Sequence, residues 1–168
     1  MPYESALKSR ILDEKDRLIL MILQKNARES LTHIAKQVGL SIDSVNKRIK
    51  EMQRKKIFEF WTAIDPKAIG FPLTIDIKIK LQNITEDAKN QFINHLKNHP
   101  RVIDLFSTVG DTDITCVFIA KNAPEFEKIS TEIRQKFSNI IADWRGILVL
   151  KVHKLEFYDL NQSESVEL

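Results

Sequence analysis

The sequence has little of three features that mark whole classes of protein: cysteine, long apolar runs and glycine-rich loops. Cys116 is the one cysteine among 168 residues, which excludes an internal disulfide and fits a reducing compartment. The longest apolar run, residues 18–23, is far too short to cross a bilayer, and no charged-then-apolar leader opens the chain. We therefore expect a cytoplasmic protein without membrane contact.

Motifs for catalysis and metal binding are also missing. No serine lies in a G-x-S-x-G setting, and no glycine-rich phosphate loop occurs. His95 and His99 have the i, i+4 spacing of a zinc pair, but no third ligand lies nearby in the sequence. We interpret His153 and Cys116 as structural residues. The sequence thus predicts no enzyme activity, no cofactor and no bound metal.

Charge is present but unevenly placed. The net charge is +3, yet residues 1–72 hold fourteen Lys or Arg against nine Asp or Glu, and residues 73–168 hold twelve against fourteen. A content of 43% hydrophobic and 29% charged residues is typical of globular proteins, and the length allows one average domain or two small ones. The basic part is expected to meet nucleic-acid phosphate.

Residues 31–56 predict two helices that meet at a tight corner. Apolar residues form one stripe on each helix: Ile34, Ala35 and Val38 on the first, Val45, Ile49 and Met52 on the second. Between them, Gly39 suits the positive φ that ends a helix and Ser41 is a preferred N-cap. With an earlier helix that starts near residue 12 and is capped by Asp13, they form a three-helix unit containing a helix-turn-helix.

The second helix of this pair is rich in positive charge. Residues 41–56 contain six Lys or Arg and two Asp or Glu. A polar, cationic helix behind such a corner suits the DNA major groove. The alternative is that these charges only solvate the outer face of an ordinary helical hairpin. Residues 57–61, which include Phe58, Phe60 and Trp61, are expected to form an extended arm packed on the helices.

The second half of the chain predicts a different architecture. Strict alternation over residues 73–81 indicates a strand, and further strands are expected at 102–109, 113–120 and 147–152, with helices at 85–98 and 124–139. This β-α-β-β-α-β order is ferredoxin-like, with both helices on one face of the sheet. Because the third and fourth strands are apolar on both faces, we expect a second copy of the chain to cover the open face.

These residues, in order and spacing, resemble the Lrp/AsnC family of transcriptional regulators, also called feast/famine regulators. The resemblance is carried by Leu12-Asp13, Asp16-Arg17, Asn26-Ala27-Arg28, Val38-Gly39-Leu40-Ser41, Arg48-Ile49, residues 61–65 (WTAID) and Gly110-Asp111-Thr112-Asp113. It implies an α+β chain with an N-terminal winged helix-turn-helix domain and a C-terminal ferredoxin-like βαββαβ domain of the RAM/AsnC type. We expect a DNA-binding domain at 1–64, a hinge at 65–72, a regulatory and dimerisation domain at 73–159 and a tail at 160–168.

The resemblance also implies partners. Such proteins bind double-stranded DNA, here a palindromic site, and their homodimers assemble into tetramers, octamers or larger rings. A small-molecule effector, commonly an amino acid, lodges between regulatory domains. The matching effector positions are Gly110, Asp111, Thr112, Asp113 and, from the last strand, Lys151. A lysine there suits an extra carboxylate and hints at an acidic effector, although a GDTD turn is also simply a good hairpin turn.

Residues that face the groove follow from those that face inward. The candidate DNA-binding residues are Thr32, His33, Ser41, Asp43, Ser44, Asn46, Lys47, Arg48 and Lys50. Asn46 suits adenine and Lys47 or Lys50 suits guanine or phosphate, while Thr32 and His33 suit the backbone. Arg48 lies partly aside on the helical wheel, so it either contacts DNA or braces the domain. The family usually has glycine at the position of Lys56, so this helix is expected to end differently.

Two other functions remain open at this stage. Siroheme decarboxylases resemble the family in both domains, but the stretch FSTVGDTDITCVF offers none of the histidine or arginine expected around a tetrapyrrole. An architectural protein that binds DNA with little sequence preference and no effector is the other alternative.

Overall fold

A computed structural model describes residues 12–160, which form two compact units. One unit, the helix domain, comprises residues 12–62 and 154–160. The other, the sheet domain, comprises residues 63–153. No helix among the described residues has both the length and the apolarity needed to span a membrane.

The helix domain is built from α1 (Glu14–Lys25), α2 (Leu31–Val38) and α3 (Ile42–Arg54). Each helix starts at a side-chain cap: Asp13, Ser30 and Ser41 accept backbone N–H bonds in the first turn of α1, α2 and α3. Gly39 ends α2 at φ +67°, as the sequence predicts. The apolar stripes meet in a core of Ile19, Leu20, Leu23, Ile34, Ala35, Val38, Val45, Ile49 and Met52. The predicted helix-turn-helix is therefore confirmed.

The end of α3 differs from the sequence expectation. Lys56 adopts φ +55°, and its N–H donates to the Gln53 carbonyl while that of Ile57 donates to the Met52 carbonyl. These two bonds form the Schellman cap that glycine usually closes. The expectation that α3 ends differently without glycine is wrong, because the cap forms with lysine in the left-handed conformation.

Lys56→Gly is expected to stabilise the helix domain by about 1 kcal/mol, since glycine adopts positive φ without the Cβ clash. The readout is a higher urea midpoint at an unchanged m value. Lys55→Gly is the matched control, because it removes a neighbouring cation where φ is −81° and should lower the midpoint. An equal shift in both variants would contradict the explanation.

The predicted arm after α3 is only partly packed. Ile57 and Phe58 pack against the helix-domain core, whereas Phe60 and Trp61 are 48% and 62% exposed. The described residues of the helix domain contain no strand, so the wing expected from the resemblance is an extended segment without a hairpin. Residues 65–72, expected as a hinge, form turns in the sheet domain, where Phe71 N–H donates to the Pro66 carbonyl at 2.8 Å.

Residues 154–160 group with the helix domain. The Gln24 side chain brackets Tyr158, because its Nε2 donates to the Tyr158 carbonyl at 3.1 Å and its Oε1 accepts the Tyr158 N–H at 2.9 Å. Leu160 packs against the core. The Gln24 amide thus forms the same pair of hydrogen bonds with Tyr158 that the backbone of a neighbouring β-strand would form.

The sheet domain contains β1 (Leu73–Leu81), α4 (Glu86–Lys97), β2 (Val102–Ser107), β3 (Ile114–Ala120), α5 (Ala123–Lys136) and β4 (Ile141–Leu148). The antiparallel sheet has the order β2-β3-β1-β4, so the ferredoxin-like prediction is confirmed. Alternate residues of β1 and β3 pack beneath the helices, around Phe92, Leu96 and Phe118.

The last strand is placed earlier than predicted. Residues 147–152 are the stronger apolar run, but only Ile147 and Leu148 are in β4, and Leu150 and Val152 beyond it are exposed. The pairing with β1 explains the difference, because Trp144 lies opposite Ile79 and joins the core, whereas polar neighbours in β4 point to the other face. A strand with one solvated face need not be a continuous apolar run.

The sheet face away from the helices, here called the open face, is mixed in character. Its side chains are Asp104 and Phe106 of β2, Thr115, Val117 and Ile119 of β3, Thr74, Asp76, Lys78 and Lys80 of β1, and Asp143, Arg145 and Ile147 of β4. The third strand is apolar on both faces as predicted, but the fourth is not. Ion pairs join neighbouring charges, such as Lys78 with Asp76 at 3.0 Å.

Candidate nucleic-acid interface

The outward face of α3 follows from the residues that face the core. Val45, Ile49 and Met52 are buried, which leaves the opposite face to solvent. A shallow, open depression on that face is lined by Asp43, Asn46, Lys47, Lys50, Glu51 and Arg54. It combines cations with an amide able to pair with adenine, which is suited to DNA phosphate and base edges.

The remaining predicted contact residues lie at helix starts. Ser41 Oγ accepts the Ser44 N–H at 3.2 Å and lies 2.9 Å from Ser44 Oγ, so both serines are engaged in capping α3. Thr32 and His33 are exposed in the first turn of α2. The positive end of that helix favours a nearby phosphate.

Arg48 turns away from this surface. Its Nη1 lies 2.6 Å from Asp13 Oδ2 and 2.7 Å from Asp16 Oδ1, which ties α3 to the start of α1. Burial alone would raise the pKa of Asp13, but the Asp16 N–H and the Arg48 guanidinium bring that pKa below its usual value. Of the two roles that the sequence left open for Arg48, the geometry supports bracing, and we leave Arg48 out of the interface.

Glu51 and Arg54 were missed by the sequence reasoning. They follow Lys47 at i+4 and i+7, so the helical wheel already places them on the outward face.

Comparison with known proteins agrees with this geometry. Residues 12–53 match the AsnC-type helix-turn-helix domain, and residues 74–156 match the Lrp/AsnC ligand-binding domain. The transcriptional regulator FL11 of Pyrococcus horikoshii is 30% identical over 152 residues, covering 85% of this chain and 92% of FL11. LrpA of the same organism is 34% identical over 145 residues, covering 84% and 99%. The chain belongs to the Lrp/AsnC family.

Solved structures agree on the fold. A Neisseria meningitidis transcriptional regulator in an L-Met complex has a TM-score of 0.79 at 23% identity, covering 86% of this chain and 94% of that one. Escherichia coli AsnC has a TM-score of 0.77 at 21% identity, covering 89% and 99%. As an Lrp/AsnC protein, this chain is a transcriptional regulator with a helix-turn-helix domain and a ligand-binding domain.

The effector turn expected in this Lrp/AsnC protein joins β2 to β3. Gly110 has φ +135°, and among the described residues none apart from Gly110 and its chain neighbours comes within 4 Å of the position a Cβ would take. Gly110 and Asp111 are exposed, while the Thr112 carbonyl accepts the Thr108 hydroxyl at 2.8 Å. The structure therefore presents Gly110 and Asp111 to a ligand more openly than Thr112.

Asp113 is occupied within the fold. Its Oδ2 accepts the Leu81 N–H at 2.8 Å and its Oδ1 lies 3.2 Å from Lys80 Nζ. The Leu81 N–H, and then Lys80, lower the pKa of Asp113. Of the two carboxylates expected to pair with an α-ammonium, Asp111 is the freer one.

Lys151 is not brought near this turn within one chain. It lies beyond β4, not in it, and Val149 N–H donates to the Thr74 carbonyl at the start of β1. Asp113 bonds instead to Leu81 at the end of β1, seven residues or about 23 Å further on. One amino acid cannot contact both places in a single protomer.

Proposed function

We propose that this Lrp/AsnC regulator reads a palindromic DNA site with the outward face of α3. The observation that carries this is the solvent-facing cationic surface of α3, which lies opposite the buried residues Val45, Ile49 and Met52. In this proposal Asn46 would contact an adenine edge, and Lys47 and Lys50 would contact guanine or phosphate. Thr32 and His33 would contact the backbone from the start of α2, and the engaged hydroxyls of Ser41 and Ser44 would position α3.

A homodimer through the open face is the second part of the proposal. Phe106 and Ile147 are 53% and 55% exposed at opposite edges of the sheet. Between them, Asp76 Oδ1 is buried with no hydrogen-bond donor among the described residues. A second copy would cover the exposed apolar side chains of this face. Two copies would place two α3 helices in successive major grooves about 34 Å apart, and dimers would assemble further.

An amino-acid effector is the third part. The solved relative in an L-Met complex supports this class of ligand. Gly110 offers an unobstructed backbone approach, and Asp111 offers a carboxylate for an α-ammonium. Thr112 and Asp113 would hold the turn in shape. Lys151 would reach such a ligand only from a second protomer, where an extra ligand carboxylate would suit it.

The experiment that tests the proposal has two arms. Selection of bound duplexes from a random pool should recover a palindromic consensus, whereas no consensus would favour an architectural protein. A thermal-shift screen of amino acids beside size-exclusion chromatography should show one ligand that raises Tm and changes assembly. A coloured protein that binds tetrapyrrole tightly would instead support the decarboxylase alternative and contradict a purely regulatory role.

A further inference from the structure

The last turn of α3 contains an ion pair that groove reading does not use. Arg54 donates twice to Glu51, with Nε 3.0 Å from Oε2 and Nη2 2.7 Å from Oε1. Lys55 Nζ lies 3.1 Å from the same Oε1. Arginine binds phosphate through the same parallel pair of bonds. Glu51 therefore occupies the place that two phosphate oxygens would take.

This pair is accessible to DNA. The Arg54 and Glu51 side chains are 69% and 43% exposed, and both lie on the outward face of α3 with Lys47 and Lys50. The Arg54 and Lys55 partners hold the pKa of Glu51 at about 2, so its carboxylate is charged at neutral pH. Exposed ion pairs add little to folding stability. A contribution to folding stability therefore does not explain why Glu51 lies among the cations on this face.

We propose that Glu51 limits sequence-independent DNA binding by competing with phosphates for Arg54 and Lys55. This inference rests on DNA binding by α3. Affinity for arbitrary sequence comes from cations that neutralise phosphates and release counterions. Each cation held by Glu51 must break its pair before it neutralises a phosphate. The last turn of α3 thus adds less to the affinity for DNA of arbitrary sequence than Arg54 and Lys55 would add without Glu51.

The first experiment measures binding of the full chain to a random-sequence duplex over about 50 to 200 mM salt. Glu51→Gln frees both cations in each protomer, so for the proposed dimer the affinity should rise about tenfold or more and the log–log salt slope should steepen by about two to four. Glu127→Gln on α5 is the control, since it removes the same charge from an exposed site in the sheet domain. The control should leave the slope unchanged.

The second experiment separates pairing from simple repulsion. In an Arg54→Gln/Lys55→Gln background, adding Glu51→Gln should change the affinity less than about twofold, since no cation is left to free. An equal rise in both backgrounds, or an unchanged slope, would overturn the inference while leaving DNA binding by α3 intact. A wild-type chain that binds no duplex would overturn the DNA-binding proposal, and this inference with it.

Discussion

Lys47→Ala combined with Lys50→Ala is expected to remove most of the affinity for a selected DNA site. Both lysines are exposed on the outward face of α3, and the proposed dimer would present four of them. If each neutralises one phosphate, the salt slope falls by about three to four units, and affinity near 0.1 M salt falls about 100-fold or more. Fluorescence anisotropy over a salt series measures both, and an unchanged slope would contradict the assignment.

Arg48→Met tests a residue next to Lys47 that we expect to stabilise the fold and not to bind DNA. The Arg48 guanidinium bonds to Asp13 and Asp16, so removing it should lower the free energy of unfolding by about 1–2 kcal/mol. The salt slope of the folded variant should stay at the wild-type value. A lowered slope with normal stability would instead place Arg48 on DNA and reverse the bracing interpretation.

Ile147→Asp and Phe106→Asp are expected to convert the proposed dimer into a monomer. Each replaces an exposed apolar side chain of the open face by a carboxylate, which would be left unpaired against a second sheet at a cost of several kcal/mol. Sedimentation or size-exclusion chromatography at micromolar concentration would show the change. Affinity for the palindromic site should fall about 100-fold or more, because one helix-turn-helix then binds one half-site.

Ile84→Asp is the matched control for the open face. Ile84 is 45% exposed in the loop between β1 and α4, outside that face. This variant should remain dimeric with the wild-type DNA affinity. If both open-face variants stayed dimeric, the subunits would have to join through another surface.

The sequence predicted the parts of the structure that local rules determine. Gly39 and Ser41 set the corner of the helix-turn-helix through one backbone conformation and one hydroxyl cap, and both are as expected. Strict alternation in β1 identified its buried face. The outward face of α3 followed because its inward residues were identified correctly.

The errors arose where tertiary pairing decides the outcome. The position of β4 depends on its register with β1, which places Trp144 in the core and leaves the apolar residues after Leu148 outside the strand. Lys151, which the resemblance assigns to the last strand, lies beyond β4, and its role toward an effector stays a prediction. Lys56 shows the reverse case, in which tertiary packing of Ile57 accompanies a cap that local preference disfavours.

The helix domain is assembled from two stretches of chain that are far apart in sequence. A truncated protein that ends near residue 62 would lack Tyr158 and Leu160. The Gln24 amide would then lose its two backbone hydrogen-bond partners, and the helix-domain core would lose the packing of Leu160. The isolated helix domain, made without residues 154–160, should therefore have a lower Tm than the same domain in the whole chain. Supplying residues 154–160 as a peptide or fusion should restore part of the loss.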